Sequence, residues 1–579
     1  MAEFTVSRAT VRRRLIVIFI LTVLAVFLLI SRLAWIQIVR AEEFYEQAWD
    51  QWNHNVLVKT ARGNIYDRSE RLLAGSVAVE TVAAIPQQVD DHEAVAEALS
   101  PVLDLEARRL EELMSMDRSA VYLKRKVEPE VAEAVREMNI PGIVFFNEEQ
   151  RDYPGGNLAS QALGFVGMDQ GLAGLESYYE DYLSSSEKQL LFPADGHGRQ
   201  LPHDFTRNTE PKGSYDLHLS IDQSIQHIIE KELDRVMEEA APEQAMALAV
   251  DPHTGAVLGA AARPDYNPEA YDDYDPEQWA LPPFTSSFEP GSTFKMVTLA
   301  AAMEEGLFEP EETINCTGHV TINGQRINCW TADRGGHGEI SFYEAVGGSC
   351  NPAFIEIGKE LGKEKLLHYI EGFGFGEPTG VDYPGESSGL IFDAEQLGEL
   401  ELAATSFGQG ISVTPVQQVM ALSAMINGGY LYKPYLVEEV RGQEDGTLLK
   451  REPELRRQVV SGETSQDLIK MMESVVLEGT GTAADIDGYR VAGKTGTAEK
   501  LDEEGNYMDD QFVYSMLGFA PVEDPRMVLY VAVNGVTRGP RYGSHTSHPA
   551  FRRIMEDTLN YLQVSPDKED KNDNEEESE

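Results

Sequence analysis

Ser292 and Lys295 stand three residues apart in Glu289-Pro290-Gly291-Ser292-Thr293-Phe294-Lys295-Met296-Val297, at the start of an apolar run that continues through Leu299, Ala300, Ala301, Ala302 and Met303. A serine hydroxyl is a weak nucleophile, and a nearby lysine amine can take its proton only while neutral. Pro290 and Gly291 are turn residues, and Glu304, Glu305 and Gly306 close the run. The pattern predicts a helix over 292–304, with Gly306 as its left-handed cap. A helix that is apolar nearly all round belongs inside a domain, and the i, i+3 spacing puts Ser292 and Lys295 on one face of its first turn. One such pair decides little. Roughly two or three occur by chance in a chain of this length, and the plain alternative is a helix-start serine beside a solvated lysine.

Two later stretches narrow the reading. Ser349-Cys350-Asn351 follows a pair of glycines, and Lys494-Thr495-Gly496-Thr497 lies in an apolar, strand-like segment. S-x-x-K, then S-x-N, then K-T-G resembles the motif set of penicillin-binding proteins and serine β-lactamases. Over roughly residues 60–560 the chain is similar to the class B penicillin-binding proteins, membrane-anchored D,D-transpeptidases of peptidoglycan synthesis.

The resemblance implies a reaction. Ser292 attacks the D-Ala-D-Ala bond of a stem peptide and releases D-alanine. An acceptor amine on a neighbouring strand then resolves the acyl-enzyme into a cross-link, and β-lactams trap the same serine. Lys295 is the implied base, its pKa lowered by burial and by a second nearby cation, for which Lys494 is the candidate. Lys494 holds the Ser349 hydroxyl to relay a proton to the leaving amine. Asn351 bonds Lys295 and the substrate amide, and Thr495 and Thr497 offer hydroxyls to a terminal carboxylate. Gly496 lets the substrate backbone lie along the strand as an added edge. The backbone N–H groups of Ser292 and Thr497 form the oxyanion hole. Rival readings are a β-lactamase or antibiotic sensor on the same fold, a D,D-carboxypeptidase, and a scaffold of a division or sporulation complex whose catalysis is dispensable.

No cofactor or metal is expected. His545 and His548 have H-x-x-H spacing, but no carboxylate or cysteine pattern accompanies them. Gly408-Gln409-Gly410 fits no nucleotide loop; it leads into Thr414-Pro415-Val416-Gln417, which resembles a structural segment of the family. The three cysteines, Cys316, Cys329 and Cys350, make no disulfide scaffold. Cys316 and Cys329 flank a Gly-rich, β-like stretch and can pair in an oxidising compartment. Cys350, inside the S-x-N, can instead pair with Cys329 as a regulatory disulfide that holds the site inactive. Three free, buried thiols are the third reading.

The 579 residues suggest several domains, and the formal net charge is −49. Such a charge repels phosphates, so nucleic acid is not an expected partner. It suits a surface adapted to high salt or another harsh exterior. Arg8, Arg12, Arg13 and Arg14 precede an apolar stretch over 15–38, interrupted by Thr22 and Arg32. That length spans a bilayer core at about 1.5 Å per residue. Arginines before the stretch and acids after it put the N-terminus inside, and the lack of a small-x-small pattern favours an uncleaved anchor over a signal peptide.

The expected domains are a cytoplasmic tail (1–14), the anchor (15–38), a pedestal or dimerisation-type domain (39–215), a transpeptidase domain (216–562) and an acidic disordered tail (563–579). Ala61-Arg62-Gly63-Asn64-Ile65-Tyr66-Asp67-Arg68, Arg151-Asp152-Tyr153-Pro154 and Gly171-Leu172-Ala173-Gly174-Leu175-Glu176 resemble pedestal signatures. Glu70 stands where the family usually has glycine, and Gln161 where histidine is common. Helical, acid-rich segments are expected to fill much of residues 88–140. A helix over 224–239, hairpins over 245–261 and 514–533, the K-T-G strand and a helix over 549–562 predict the fold class: a multidomain α+β or α/β chain whose five-stranded, mostly antiparallel sheet is covered by helices. The family resemblance adds a membrane-embedded glycan polymerase and a cell-wall synthesis complex as partners, and a single-pass protein of the plasma membrane with its catalytic domain outside.

Overall fold

The computed structural model describes residues 8–41, 53–59, 61–118, 120–168, 170–184, 187–193, 214–442, 446–501 and 507–568. The chain divides into two compact units. The smaller contains a helix over Arg8–Ala34, which continues as a π-helical turn over Trp35–Val39. Its span Arg12–Val39 is long and apolar enough to cross a membrane, and is a candidate anchor. The same unit has one antiparallel strand pair, Asn53–Lys59 with Glu187–Pro193. The acidic tail expected after 563 lies largely outside the described residues.

The larger unit is built on two sheets. In the first, five antiparallel strands run in the order Ala492–Leu501, Tyr507–Ala520, Met527–Asn534, Gln244–Val250 and Val257–Arg263. The K-T-G strand therefore lies at one edge. Alternation along each strand sends side chains to two cores. Ala245, Ala247 and Ala249 face the helices Gln223–Ala240 and Ser547–Tyr561, packing with Ile229, Leu233, Phe551 and Met555. Met246, Leu248 and Val250 face the other way, onto Phe294, Val297, Leu299 and the helix Pro415–Ile426.

The second sheet orders Gly446–Lys450, Val437–Gly442, Tyr215–Leu219, Ile65–Tyr66, Leu72–Ala84 and Val121–Val127, with Ile143–Asp152 also on Leu72–Ala84. Ile65–Tyr66 pairs in parallel with Tyr215–Leu219, so strands from both expected domains share one ladder. The boundary expected between 215 and 216 falls inside a strand. Helices His92–Leu103, Ala107–Met114 and Pro129–Glu137 fill much of 88–140 as expected, and Val121–Val127 adds a strand between them. Val121, Leu123 and Val127 are buried on the two-residue period of a strand, a signal hidden among helical neighbours.

The pedestal signatures converge on a buried ion cluster. Arg62 Nε donates to Glu176 Oε2 at 2.7 Å and Arg151 Nε to Glu176 Oε1 at 2.6 Å, while Arg151 Nη1 reaches the Gly63 carbonyl at 2.8 Å. Asp67 Oδ1 accepts from the backbone N–H groups of Ser69 and Arg71. Glu70 adopts φ +63°, the left-handed conformation that favours glycine. Its carboxylate lies 3.0 Å from His218 Nδ1 and 3.5 Å from Arg441 Nη1. Gln161 donates to the Gln278 carbonyl and accepts from the Ala262 N–H, a structural role.

Candidate active site

The serine turn differs from a plain helix start. Gly291–Phe294 forms one 3-10 turn, and the α-helix runs over Lys295–Glu304. Thr293 Oγ1 donates back to the Pro290 carbonyl at 2.8 Å, and the Gln418 side-chain amide also meets this hydroxyl, tightening the turn. Gly291 has φ +57°, and a Cβ there would stand 2.8 Å from the Thr497 carbonyl oxygen. Glycine thus lets the serine turn approach the K-T-G strand. The helix ends as expected: Gly306 N–H bonds the Met303 carbonyl and Leu307 N–H the Ala302 carbonyl, with Gly306 at φ +61°.

The S-x-N lies between two helices, Phe342–Gly347 and Asn351–Gly372, the second kinked at Gly362. The first is held by a capping box of Ser341 and Glu344. Ser349 itself takes φ +52°, a strained conformation of the kind that persists where the surroundings over-determine it. That turn aims its hydroxyl at two amines. Lys295 Nζ lies 3.1 Å and Lys494 Nζ 2.9 Å from Ser349 Oγ. Lys295 Nζ also donates to the Ser349 carbonyl at 2.9 Å and to Asn351 Oδ1 at 2.7 Å. Among the described residues Ser292 Oγ makes no hydrogen bond, so the amine rests on the S-x-N rather than on the serine.

Both lysines are fully buried, at 0 % and 1 % exposure. Burial pushes Lys295 down to about 8, against which the Cys350 and Cys329 thiols act. Burial pushes Lys494 well below its ordinary value, and the Lys295 charge pushes it further. Burial, one of the two expected causes, is the one that lowers Lys295; for Lys494 burial also comes first, and the Lys295 charge adds to it.

The K-T-G residues divide. Thr495 is buried, and its hydroxyl is 2.7 Å from that of Thr480. Thr497 is exposed and lines a cavity of about 440 Å³ with Asp510, Phe512, Tyr514, Arg541 and Tyr542. A Cβ on Gly496 would lie 2.2 Å from Ser515 Oγ and 3.1 Å from Thr293 Cγ2. The glycine is required by packing between sheet and serine turn, a different reason from the substrate approach expected.

Sequence reasoning missed Gln418, Thr480, Arg541 and Asn328, whose carbonyl accepts from Asn351 Nδ2 at 3.0 Å. It also missed the role of His548. That ring is buried, and burial with the nearby Lys494 charge lowers it to about 4. His545 is exposed and close to Ser544. The three cysteines are free and buried, and His337 joins them.

Two family models match the chain: the penicillin-binding protein transpeptidase domain over residues 245–556 and the penicillin-binding protein dimerisation domain over 57–219. Stage V sporulation protein D of Bacillus subtilis is 39 % identical over 570 residues, covering 97 % of this chain and 88 % of the relative. Peptidoglycan D,D-transpeptidase FtsI of Escherichia coli is 30 % identical over 553 residues, covering 94 % and 91 %. Penicillin-binding protein 3 of Mycobacterium tuberculosis, solved with aztreonam, has the same fold, with a TM-score of 0.69, 23 % identity and coverage of 89 % and 98 %. With one transpeptidase model over more than half its length and full-length relatives at these identities, the chain belongs to the class B penicillin-binding proteins, the peptidoglycan D,D-transpeptidases.

Proposed function

We propose that Ser292 is the acylated nucleophile of a penicillin-sensitive transpeptidase and that Lys295 is its base. The observation that carries this is the Ser349 hydroxyl bridged between two buried amines beside the serine turn. An ammonium Lys295 spends all three hydrogens on the Ser349 carbonyl, Ser349 Oγ and Asn351 Oδ1. A neutral amine has two hydrogens and one lone pair. It gives up one of those contacts and turns the lone pair to Ser292 as the hydroxyl attacks. Ser349 then passes a proton from Lys295 or Lys494 to the leaving amine. Ser292 N–H and Thr497 N–H cradle the oxyanion, and Thr497 with Arg541 on the cavity wall receives the terminal carboxylate. Thr495 supports that wall through Thr480.

Arginines at the start of the apolar helix support a cytoplasmic N-terminus and a catalytic domain outside. A membrane-embedded glycan polymerase and a cell-wall complex are the expected partners there. The greater identity to a sporulation protein than to a division enzyme favours sporulation.

The test is labelling of the full-length protein in detergent with a fluorescent penicillin, beside Ser292→Ala. A stable label absent from the variant supports the reading. Label that turns over within seconds would make the protein a β-lactamase. A folded, reduced protein that takes no label at high salt would be a scaffold.

A further inference from the structure

The helix Pro415–Ile426 is buried along its whole length, so its polar side chains need partners inside the protein. Gln417 closes the capping box with Thr414 and donates to the Glu377 and Ser388 carbonyls. Ser423 donates back to the Val419 carbonyl. Gln418 has no such local task. It crosses to the serine turn, where its amide lies 2.5 Å from Thr293 Oγ1.

Counting hydrogens decides how that contact is made. Thr293 has one hydroxyl hydrogen, and it goes to the Pro290 carbonyl at 2.8 Å. The hydrogen between Thr293 and Gln418 must therefore come from the amide, which presents Nε2 to Thr293 and turns Oε1 the other way. Tyr530 Oη is buried without a hydrogen-bond partner among the described residues, and so is Gln418 Nε2 before that turn. Gln418 and Ser515 are the polar side chains that act on the Tyr530 hydroxyl. With the amide turned, Tyr530 donates to Gln418 Oε1 and accepts from Ser515, and every buried group is satisfied. Ser515 and Tyr530 share one face of adjacent strands as diagonal neighbours, since Ser515 pairs with Ala532 and Leu517 with Tyr530. All four side chains are 3 % exposed or less. Burial raises the Tyr530 pKa, so the phenol keeps its proton and the row carries no charge. Both ends lie against the K-T-G: a Cβ on Gly496 would stand 2.2 Å from Ser515 Oγ and 3.1 Å from Thr293 Cγ2.

We propose that Gln418 and Tyr530 are positioning residues for acylation. They are the middle of a buried hydrogen-bonded row, Ser515 to Tyr530 to Gln418 to Thr293 to the Pro290 carbonyl, that sets the serine turn from the central strand of the sheet. Neither residue touches substrate. The row acts through Thr293 on its neighbour Ser292, and the inference rests on the reading of Ser292 as nucleophile and oxyanion donor. Such a donor works over a narrow range, roughly 2.7–3.1 Å from the developing oxyanion. A turn released from the row should bind a β-lactam as before and acylate more slowly.

The experiment follows acylation of full-length protein, in detergent with reductant, by a fluorescent penicillin at a series of concentrations. Wild type is compared with Tyr530→Phe, Gln418→Met and the double variant. Each single variant should lower the saturating rate by about 10-fold, with the half-saturating concentration within about twofold of wild type. The double variant should be no slower than the slower single one, because either change opens the same row. The pH inflection should stay in place, since no charge is removed. Should Gln418→Met fail to fold, Tyr530→Phe, which deletes a single oxygen, decides alone. A folded Tyr530→Phe with the wild-type saturating rate overturns the row. So do losses that multiply in the double variant, or that fall on the half-saturating concentration instead. A wild type that takes no label removes the nucleophile reading, and this inference with it; a labelled wild type with indifferent variants removes the row alone.

Discussion

The large unit buries charge in two places, and they behave in opposite ways. In the pedestal, Arg62 and Arg151 share Glu176, which is fully buried. Burial alone would lower the Arg62 pKa, but Glu176 and Glu180 outweigh it and the net shift is upward. In the catalytic core, Lys295 and Lys494 share a neutral hydroxyl, and no carboxylate offsets their burial; both pKa values fall. Opposite charges in the interior are locked on. Like charges there are driven towards neutrality. The first arrangement makes a joint and the second makes a base.

The largest effect should come from Lys295→Met, which removes the base and leaves the pedestal cluster intact. Acylation by a β-lactam should fall by about 10²–10⁴-fold, measured by stopped-flow, with thermal unfolding little changed. Next comes Glu176→Gln, which leaves buried Arg151 without its carboxylate and Arg62 with Glu180 alone. It should destabilise by about 3–5 kcal/mol in chemical denaturation, while the pH profile of acylation stays as in the wild type. A shifted profile would mean that the two regions are electrostatically coupled.

The third concerns pH itself. The proposed base, Lys295, works as the neutral amine, and burial pushes it down to about 8. Acylation should therefore rise roughly tenfold per pH unit below that value and level off above it. The inflection belongs to the lysine pair rather than to one residue. A flat profile across neutrality would remove Lys295 as base. The smallest effect is expected from Glu70→Gly. Relief of the positive φ and loss of the pairs with His218 and Arg441 nearly cancel, leaving a change within about 1 kcal/mol.

Much of this contrast was legible in the sequence. The motifs named the lysines, the apolar run around Lys295 announced its burial, and the pedestal signatures announced a salt-bridged turn. The causes were less legible. Which neighbour lowers which amine depends on depth, and depth is set by Phe294, Leu299 and the sheet behind them. The 3-10 turn at Ser292 follows from how closely Gly291 meets Thr497, a tertiary contact. Thr480, the hydroxyl partner of Thr495, carried no signal in the sequence. His337 was missed because the cysteines it joins are spread over 316–350 with no short ligand spacing. The sequence instead offered His545 and His548, of which one is exposed and the other buried beside Lys494.

The position of the K-T-G strand has a further consequence. It lies at the edge of its sheet, and an edge that must stay open for an incoming peptide is equally open to a strand from another copy of the chain. Charge is one guard against that self-association, since molecules with a formal net charge of −49 repel one another. Salt weakens that repulsion, so concentrated brine should test colloidal stability before it tests the fold.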